Sequence, residues 1–586
     1  MLPVVLALLI TAYGALLRVD ALVERYGPVD HPGWARVVTR SLAPAGAALR
    51  PFALGWPPLG TPYVGGDPIN YLKYAREMRG FYQGHLREPG FLALTRGFLW
   101  ALSNQDIAVS FASLAGSVLA VYGTYLLGAA AISPACGLLA ALVMAIEREN
   151  ITWAPDGWRD DTFTAAVVFA AWAFLRFRRT PSIWNGVLLG VVAAAACLTR
   201  ITALSFIAPG LLWLLLDRPR GTRRGMVRPL TVALVTMTAL VAPYLVNCAR
   251  ELGDPLVAIN YHTGYYRFGE GLPSGEPMSA SRYVRTKLAR APLGTLDTGV
   301  MGVVVQPFVT KWSGLEVTAR GLRPLLYWAA IAGLVMLPFA AAGRLLLVIL
   351  VSSLVPYAFT WNVGGGGEWR FTMHAYPFYI VAAGYAFVRV SVAAVAAWRE
   401  RSLPAPGRPA VVGAAVIGVV LLLASGLYRW MPWLVDQETL ARGEDLTIGA
   451  GARDETFFRR DWSPPHHEGL ATVRVSLAER AVVWIPLPTR RSYNVTLRFD
   501  PVDPALQRRV DVLLNRHLVA RLGLGWDPQR VGSYPIHLPE EYVRAGGNEL
   551  MLIPDTLIAR GNAGTRFAWV PGERLGLRLW HVRIRP

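Results

Sequence analysis

The stretch GGDPINYLKYAREM, residues 65–78, organises the interpretation of the whole chain, because it is polar and follows the first hydrophobic run. The polar segment continues through Gly84 to Phe91, where the chain becomes apolar again. Residues 33–49 and 68–82 both have the pattern of short amphipathic helices, which can lie in the headgroup plane of a bilayer. A loop of this length is more than a connection between helices, and we expect it to carry function.

Composition indicates the class of protein around this stretch. Of 586 residues, 53% are hydrophobic, and the mean hydropathy is +0.36. Together with apolar runs of about 20 residues, these values indicate a polytopic α-helical membrane protein. The formal net charge is +19, from 58 Lys and Arg against 39 Asp and Glu. Because many arginines lie in short loops between apolar runs and the sequence has no basic–aromatic module, we expect orientation by positive charge and no nucleic-acid partner.

The apolar runs predict about eleven transmembrane helices. Arginine-rich loops follow the fourth run and join the sixth to the seventh and the tenth to the eleventh, so they share one side if every run spans the bilayer. Positive charge marks that side as cytoplasmic, and the N-terminus is then also inside. The predicted outer loops are 19–106, 149–160, 249–323 and 363–372. The predicted spans are 2–18, 107–130, 133–148, 161–177, 184–199, 201–216, 227–248, 324–342, 344–362, 373–391 and 410–428.

The chain changes character after Trp433. From about residue 467, short runs rich in β-branched and aromatic residues alternate with Asp, Pro, Gly and Asn turns, which predicts strands. We therefore expect a transmembrane domain over 1–430, a linker over 431–466 and an antiparallel β-sandwich of jelly-roll type over 467–586. Because everything after the last span lies outside, this β-domain is expected to be extracytoplasmic.

Several carboxylates face the outer side at the ends of predicted helices. Asp20 follows the first run, near Arg18, Asp67 lies in the quoted stretch, and Asp160 and Asp161 lie at the start of the fourth run. Such carboxylates can converge at one cleft. The alternative is that they stabilise helix N-termini through the helix dipole or, for Asp20, that the carboxylate pairs with Arg18.

Basic groups lie at comparable positions. Arg200 sits between two apolar runs, and Arg370 and His374 follow the glycine run 364–367. A guanidinium group at this depth is costly without a partner, and a lipid phosphate, which it binds through two parallel hydrogen bonds, is one candidate. For Arg200 the alternative is an intramembrane salt bridge or a side chain that extends toward the water.

These residues lie in three parts of the chain that resemble the C-type superfamily of integral-membrane glycosyltransferases (GT-C), in the branch of the aminoarabinose transferase and the protein O-mannosyltransferases. The first part is Gly66-Asp67 with Tyr71 and the later Glu88-Pro89, which is similar to the family's acid, tyrosine and proline-led second helix. The second is residues 115–161, where two small-residue-rich helices lead to a polar outer loop. The third is residues 370–377, an arginine-containing entry into a late helix.

The resemblance implies an enzyme of a bacterial inner membrane. It would move a sugar from a polyprenyl-phosphate or polyprenyl-diphosphate donor to a hydroxyl of an extracytoplasmic glycan, lipid or protein, with inversion. Because the family places an essential acid in the first outer loop, the resemblance makes Asp67 the catalytic carboxylate. The implied ligands of the donor phosphate are Arg370, Arg200 and His374. The further candidates for an acceptor site or a metal site are Asp160, Asp161, Asp20, Tyr71 and Glu88.

Departures from the family pattern leave alternatives open. Asp67 is followed by Pro68 rather than by the second acid of the O-mannosyltransferases, and Asp160-Asp161 is similar to the paired metal-binding acids of oligosaccharyltransferases. Asp67 is therefore either a general base or, with Asp160 and Asp161, a ligand of Mg²⁺ or Mn²⁺. The Trp-Trp-Asp-Tyr-Gly motif of oligosaccharyltransferases is absent from the sequence. A polytopic lipid or glycan transporter is the rival class, although the sequence has no inverted repeat with matching broken helices.

Overall fold

The structure, a computed structural model, divides the described part of the chain into two compact units. The first comprises Met1–Thr286 and Thr298–Ala414, and the second comprises Lys287–Asp297 and Ala415–Pro586. The first unit is helical, and the second is built on β-sheets. The description covers residues 1–586 except 57–62, 218–219, 271–274, 276, 301–321, 341, 361–368, 401–418, 420–422, 424–425, 427–429, 450–455, 459–460, 469–470, 525–531 and 564–566.

The first helix of the helical unit, α1, spans Leu2–Tyr26 and is longer than the predicted run 2–18. Its apolar pattern is interrupted at Arg18 and Asp20, but both side chains are buried among protein groups that bond to them. The helix therefore continues past these charges, and the polar loop begins at Gly27. Hydrogen-bonded partners make a buried charge tolerable where lipid would not.

The loop between α1 and the next long apolar helix is itself largely helical. The predicted amphipathic segment 33–49 is helical throughout, and the segment 68–82 forms a helix over Asp67–Glu77. A further helix begins at Pro89, where the missing N–H of proline suits a first helical turn. The elements are α2 Gly33–Arg36, a π-helical turn Val37–Leu42, α3 Ala43–Leu49, α4 Asp67–Glu77 and α5 Pro89–Ala101.

Most of the helices that follow contribute to one large apolar core, rich in alanine and leucine. Residues 287–297, which lie in two of these helices, belong to the second unit. Arg200 is an extended residue that separates α10 from a short 3₁₀ turn and α11, so the two predicted runs on either side of it remain separate helices. The helices in chain order are α6 Ala108–Ala131, α7 Pro134–Ile146, α8 Arg148–Trp153, α9 Arg159–Arg179, α10 Ile183–Thr199, α11 Leu204–Leu216, α12 Arg220–Leu252, α13 Val257–Gly269, α14 Ala280–Arg290, α15 Pro292–Val300, α16 Leu322–Met336, α17 Gly343–Thr360 and α18 Tyr376–Glu400.

Within the described residues, four helical segments are long and apolar enough to cross a bilayer by length and composition. They are Leu2–Tyr26, Ala108–Ala131, Gly225–Leu252 and Phe371–Val395. A fifth span is added if Leu325–Phe339 and Gly343–Phe359, which are bent by 119° at their junction, count as one. The other predicted runs that fall on described residues form shorter apolar helices or, for 161–177, lie within α9. The predicted span 410–428 lies largely outside the described residues.

The second unit contains antiparallel sheets that enclose one core. One sheet has the strand order β2-β3-β12-β5-β8, with β1 also paired to β12, and the other has the order β4-β9-β6-β7. A small pair, β10 and β11, lies apart from these sheets. The strands are β1 Leu446–Gly449, β2 His466–Glu468, β3 Ala471–Val475, β4 Ala481–Leu487, β5 Tyr493–Pro501, β6 Arg509–Leu514, β7 His517–Gly523, β8 Ser533–Leu538, β9 Gly546–Pro554, β10 Ile558–Ala559, β11 Arg574–Leu575 and β12 Leu577–Arg585.

Alternation of buried and exposed side chains fixes which face of each sheet meets the core. Along β5, Val495, Leu497 and Phe499 are buried and alternate with more exposed residues, as a half-buried strand requires. The predicted linker 431–466 is also structured, because β1 lies within it and Phe457 and Trp462 are buried in the unit. The core of the β-unit therefore begins before residue 467.

Candidate functional site

The helical unit contains a cavity of about 1370 Å³. Its wall is formed by the start of α4, the segment before α5, the start of α9, the connection from α10 to α11, the α13 region and the end of α17. The charged residues in the wall are Asp67, Arg87, Glu88, Arg159, Arg200, Asp254 and Arg267. The aromatic residues are Tyr71, Trp158, Tyr261, His262, Tyr265, Tyr266, Phe268, Tyr283, Tyr357, Phe359 and Phe371. A concave site with a few convergent charges among aromatic rings is the usual form of a ligand site.

Asp67 is the first residue of α4 and lines the cavity with one third of its side chain exposed. Gly66, just before it, has φ of 68° and ψ of −142°, a conformation that glycine adopts without strain. The chain thereby turns sharply into the helix and presents the carboxylate at the helix N-terminus.

Arg87 faces Asp67 and a histidine. One guanidinium nitrogen lies 3.6 Å from an oxygen of Asp67, which is an ion pair beyond hydrogen-bond range. Another guanidinium nitrogen contacts Nε2 of His262, and the guanidinium group lies 5.6 Å from the ring centre of Tyr71. We call Asp67, Arg87 and His262 the open group, because the carboxylate of Asp67 and the guanidinium of Arg87 meet here beyond hydrogen-bond range.

The inner wall of the cavity pairs its charges tightly. Glu88 contacts Arg159 through one oxygen and accepts a hydrogen bond of 2.8 Å from the backbone N–H of Ile201 through the other. Asp160 accepts a hydrogen bond of 2.7 Å from Arg200. We call Glu88–Arg159 and Asp160–Arg200 the closed pairs. All four side chains are buried, so each charge is balanced within the wall.

Arg200 makes further contacts in the wall. Its second guanidinium nitrogen donates to the hydroxyl of Tyr357 at 3.0 Å, and the guanidinium group lies 5.2 Å from the ring centre of Phe163 and 5.8 Å from that of Phe371. The salt bridge considered for Arg200 is thus present, with Asp160 as its partner.

Asp161 does not share the site of its neighbour Asp160. Its carboxylate is fully buried between α9 and α6 and accepts a hydrogen bond of 3.1 Å from Ser113. The two helices approach closely here, at Gly116. A Cβ atom at this position would lie only 2.6 Å from backbone atoms of Thr162. Among the described residues that line the cavity, Asp161 is not present.

Asp20 also has a partner other than the one considered from the sequence. It forms a two-pronged ion pair with Arg50, at 2.5 Å and 2.8 Å, whereas Arg18 donates to Ser117 and to backbone carbonyls, including that of Ala145. Neither Asp20 nor Arg50 is among the described residues that line the cavity. The contacts of Asp20 are therefore those of a structural ion pair.

The predicted phosphate ligands are only partly brought to the cavity. Arg200 lines it, whereas the ring of His374 is buried and its Nε2 lies 3.1 Å from the hydroxyl of Ser353. His374 instead packs beside Phe163, with the ring centres 5.3 Å apart. The side chain of Arg370 lies outside the described part of the chain. Tyr71, predicted for the acceptor or metal site, does line the cavity.

The proposed metal set of Asp67, Asp160 and Asp161 does not fit a shared ion. Asp160 is engaged by Arg200, whereas the carboxylate of Asp161 accepts a hydrogen bond from Ser113 on α6. The described residues contain no group of three or more His, Cys, Asp and Glu side chains arranged to hold a metal. Divalent cations such as Mg²⁺ require several convergent oxygen ligands. No step of the chemistry is therefore derived through a metal.

Sequence reasoning did not assign roles to several residues that the structure places in the wall. Arg87 and Arg159 lie next to residues that were singled out, Glu88 and Asp160. Both arginines could have been predicted from their positions, because a basic residue beside an acid at the edge of an apolar run needs a partner when it is buried. Tyr357 carried no signal, since it follows a proline inside an otherwise apolar helix.

Residues 87–246 match the family model described as dolichyl-phosphate-mannose-protein mannosyltransferase. The matched segment includes the closed pairs and Arg87, and Asp67 lies before it. The match confirms the resemblance to C-type membrane glycosyltransferases over this segment. No curated protein matches the chain in a sequence comparison.

Solved structures are similar to the chain at low sequence identity. One is the archaeal oligosaccharyltransferase AglB from Archaeoglobus fulgidus in complex with an inhibitory peptide and a dolichol-phosphate, with 14% identity and a TM-score of 0.40 over 71% of this chain and 54% of that one. Another is ArnT from Cupriavidus metallidurans bound to undecaprenyl phosphate, with 14% identity and a TM-score of 0.38 over 64% of this chain and 66% of that one. The chain thus spans about half the length of the archaeal enzyme that it matches.

Proposed function

We propose that the protein is a membrane glycosyltransferase that moves a sugar from a polyprenyl-phosphate or polyprenyl-diphosphate donor to an acceptor hydroxyl outside the cytoplasm. The observation that carries this proposal is the open group, a partly exposed carboxylate beside a guanidinium whose charge is not tightly paired. The family match over residues 87–246 supports the reaction class.

Asp67 is the proposed general base. Its exposed carboxylate accepts the proton of the acceptor hydroxyl as that oxygen forms a bond to the anomeric carbon of the donor sugar. In the same displacement the bond from the anomeric carbon to the phosphate oxygen breaks, and its electron pair leaves with the lipid phosphate. A single displacement inverts the anomeric centre. Positioned general bases contribute about 10²–10⁴-fold to a rate.

Arg87 is the proposed ligand of the leaving phosphate. Arg159 and Arg200 are each held by a buried carboxylate, so binding of a phosphate there would compete with an existing ion pair. The nearest described carboxylate oxygen to Arg87 lies at 3.6 Å, so a phosphate can bind this guanidinium without breaking a hydrogen bond to a carboxylate. Guanidinium groups bind phosphate through two parallel hydrogen bonds. Arg200 remains the second candidate, because it also lines the cavity.

The orientation and location of the protein belong to the same proposal. If the arginine-rich loops face the cytoplasm, α4, the segment before α5 and α13 all lie on the outer side, and so does the cavity that they line. We propose a bacterial inner membrane, a cytoplasmic N-terminus and an extracytoplasmic β-unit. The acceptor would then be a glycan, lipid or protein of the cell envelope.

We also infer that the β-unit is a jelly roll. When β3 to β9 are numbered one to seven and β12 is numbered eight, the sheet orders become 1-8-3-6 and 2-7-4-5. This order supports two Greek keys wrapped around one core, the arrangement of eight-stranded jelly rolls in lectin-type and other domains. A glycan acceptor is consistent with such a unit, although no described residue is assigned to bind one.

A donor panel tests the proposed reaction. The purified protein in bilayer discs is given undecaprenyl-phosphate and undecaprenyl-diphosphate sugars with membrane glycan acceptors, with and without EDTA. We expect release of free lipid phosphate from one donor class, with a rate that EDTA leaves unchanged. Loss of turnover in EDTA would favour the metal-dependent oligosaccharyltransferase-like alternative. No turnover, together with movement of a donor lipid across sealed vesicles, would replace the proposal with a transporter.

A further inference from the structure

The two hydrogen bonds of His262 specify which ring nitrogen carries the proton. Nδ1 lies 2.9 Å from the carbonyl oxygen of Ala258, one turn earlier on α13. A carbonyl oxygen only accepts, so Nδ1 must donate. Nε2 contacts the guanidinium of Arg87, which only donates, so Nε2 must present its lone pair. Both partners are therefore satisfied by one neutral tautomer of the ring.

The charges around the ring oppose a second proton. The charged groups that face the imidazole are Arg87 from the segment before α5, Arg159 at the start of α9 and Arg200 between α10 and α11. Burial and these three positive charges, Arg87 foremost among them, lower the pKa of His262 to about 3. The ring thus stays a neutral acceptor throughout the physiological range.

A neutral acceptor has a different effect on its arginine than a carboxylate has. Glu88 and Asp160 hold Arg159 and Arg200 in place but also set a negative charge directly against each guanidinium. His262 holds Arg87 in place through a hydrogen bond and leaves the positive charge in the cavity. The opposing charge of Asp67 lies at 3.6 Å, a looser contact than that in either closed pair.

We propose that His262 is a positioning residue, a neutral hydrogen-bond acceptor that orients the Arg87 guanidinium while leaving its charge available to a phosphate anion. The inference rests on the proposed function only for the identity of that anion, the phosphate of the lipid-linked donor. The positioning role requires an uncharged acceptor at position 262. A merely structural role of His262 has no such requirement.

Three substitutions separate these roles. His262→Gln keeps an uncharged acceptor, His262→Leu removes the acceptor, and His262→Glu keeps an acceptor but adds a negative charge beside Arg87. Binding of undecaprenyl phosphate to each protein is measured in bilayer discs by native mass spectrometry, with undecaprenol as the probe that lacks the phosphate. The Gln and Glu side chains have nearly the same size and shape and differ in charge, so their comparison holds even if the Leu variant folds poorly.

We expect His262→Gln to bind undecaprenyl phosphate within about threefold of the wild type, and His262→Leu to bind roughly tenfold more weakly, the usual scale of one hydrogen bond to a charged group. His262→Glu should bind at least as weakly as His262→Leu. Equal binding by the Glu and Gln variants, wild-type binding by the Leu variant, or no preference of the wild type for the phosphate over undecaprenol would overturn the inference.

The outcome is separable from that of the proposed reaction. If no sugar donor is turned over but undecaprenyl phosphate still binds in the order wild type, Gln, Leu, glycosyl transfer is rejected and the role of His262 stands. If turnover occurs and the three variants bind alike, the reaction stands and the role of His262 is rejected.

Discussion

The open group and the closed pairs lie at the same cavity but differ in the distance between carboxylate and guanidinium and in the exposure of the carboxylate. In the closed pairs, Glu88 and Asp160 are 3% and 2% exposed, and each contacts its arginine at hydrogen-bond range. In the open group, Asp67 is one third exposed and lies 3.6 Å from Arg87. Buried charges that are fully paired hold a structure together, whereas a partly exposed charge at the wall of a cavity can reach a ligand.

The difference explains why helix-end carboxylates of similar appearance are not equivalent. Asp20, Asp160 and Asp161 all have partners that the protein itself supplies, from Arg50, Arg200 and Ser113 respectively. Asp67 instead lines the cavity from the N-terminus of α4, with its side chain one third exposed. We therefore propose that the open group carries the chemistry and that the closed pairs stabilise the fold.

Breaking a closed pair should have the largest effect on stability. Asp160→Asn leaves Arg200 buried without its carboxylate, and one unpaired charge of this kind costs about 3–5 kcal/mol. We expect a marked fall in the midpoint of thermal unfolding, followed by tryptophan fluorescence in detergent. The double variant Asp160→Asn/Arg200→Met should recover most of the loss. An Asp160→Asn protein as stable as the wild type would contradict the division between the two regions.

Removing the cation of the open group should weaken donor binding with little effect on folding. For Arg87→Met we expect the KM for the lipid-linked donor to rise about 10- to 100-fold, the range for a charge-assisted hydrogen bond. Arg87→Lys should retain part of the affinity, because lysine keeps the positive charge but cannot form the two parallel hydrogen bonds of a guanidinium group. The control is Arg76→Met on the exposed side of α4, where Arg76 pairs with Asp106. A lower kcat with unchanged KM in Arg87→Met would contradict the assignment.

Acid should destabilise the protein partly through His262. Its pKa is lowered to about 3 in the folded protein and is near 6.5 when unfolded, so between these values only the unfolded chain binds the proton. This contribution is fully present above pH 6.5 and is lost as the pH falls toward about 3. We expect the drop in unfolding temperature between pH 7.5 and pH 5 to be smaller in His262→Gln than in the wild type. An identical drop would show that this histidine does not titrate as described.

An exposed ion pair of the β-unit should matter least. Asp445 accepts hydrogen bonds from Arg583 and Arg585, and the bond from Arg583 is the main cause that lowers the pKa of Asp445. Its stabilisation is present above the ordinary carboxylate pKa and declines as the pH falls through the lowered value. Because solvent screens exposed pairs, Asp445→Asn should change stability by less than about 1 kcal/mol. Donor turnover should be unaffected, and a loss of turnover would indicate a role for this surface.

The sequence predicts the helical class and half of the twelve described strands, because the hydrophobic period is a local property. The amphipathic segment 33–49 follows directly from its pattern. The strand β7 was not predicted, because its hairpin turn uses Asn515 and Arg516 at positive φ instead of the Asn-Gly or Asp-Gly pair that marks such turns. The end of α1 was set too early, because its buried charges interrupt the apolar pattern.

The site was only partly predictable for a related reason. Asp67, Tyr71, Glu88, Asp160 and Arg200 were singled out, and all except Asp160 are among the residues that line the cavity, while Asp160 is bonded to the lining Arg200. The pairing of carboxylates with arginines depends on how α4, α9 and α13 pack. Spacing along the chain does not predict this packing. The contact between Arg87 and His262 joins residues 175 positions apart, so no local pattern reveals it.

The most direct test compares Asp67→Asn with Glu77→Gln, a neutralised carboxylate at the exposed end of the same helix, α4. Turnover of the lipid-linked sugar donor is measured for both proteins and the wild type in bilayer discs, with the unfolding temperature of each as a check on folding. We predict that Asp67→Asn loses at least about 10²-fold in kcat while folding normally, and that Glu77→Gln retains wild-type turnover. Near-normal turnover by Asp67→Asn would contradict the assignment of the chemistry to the open group.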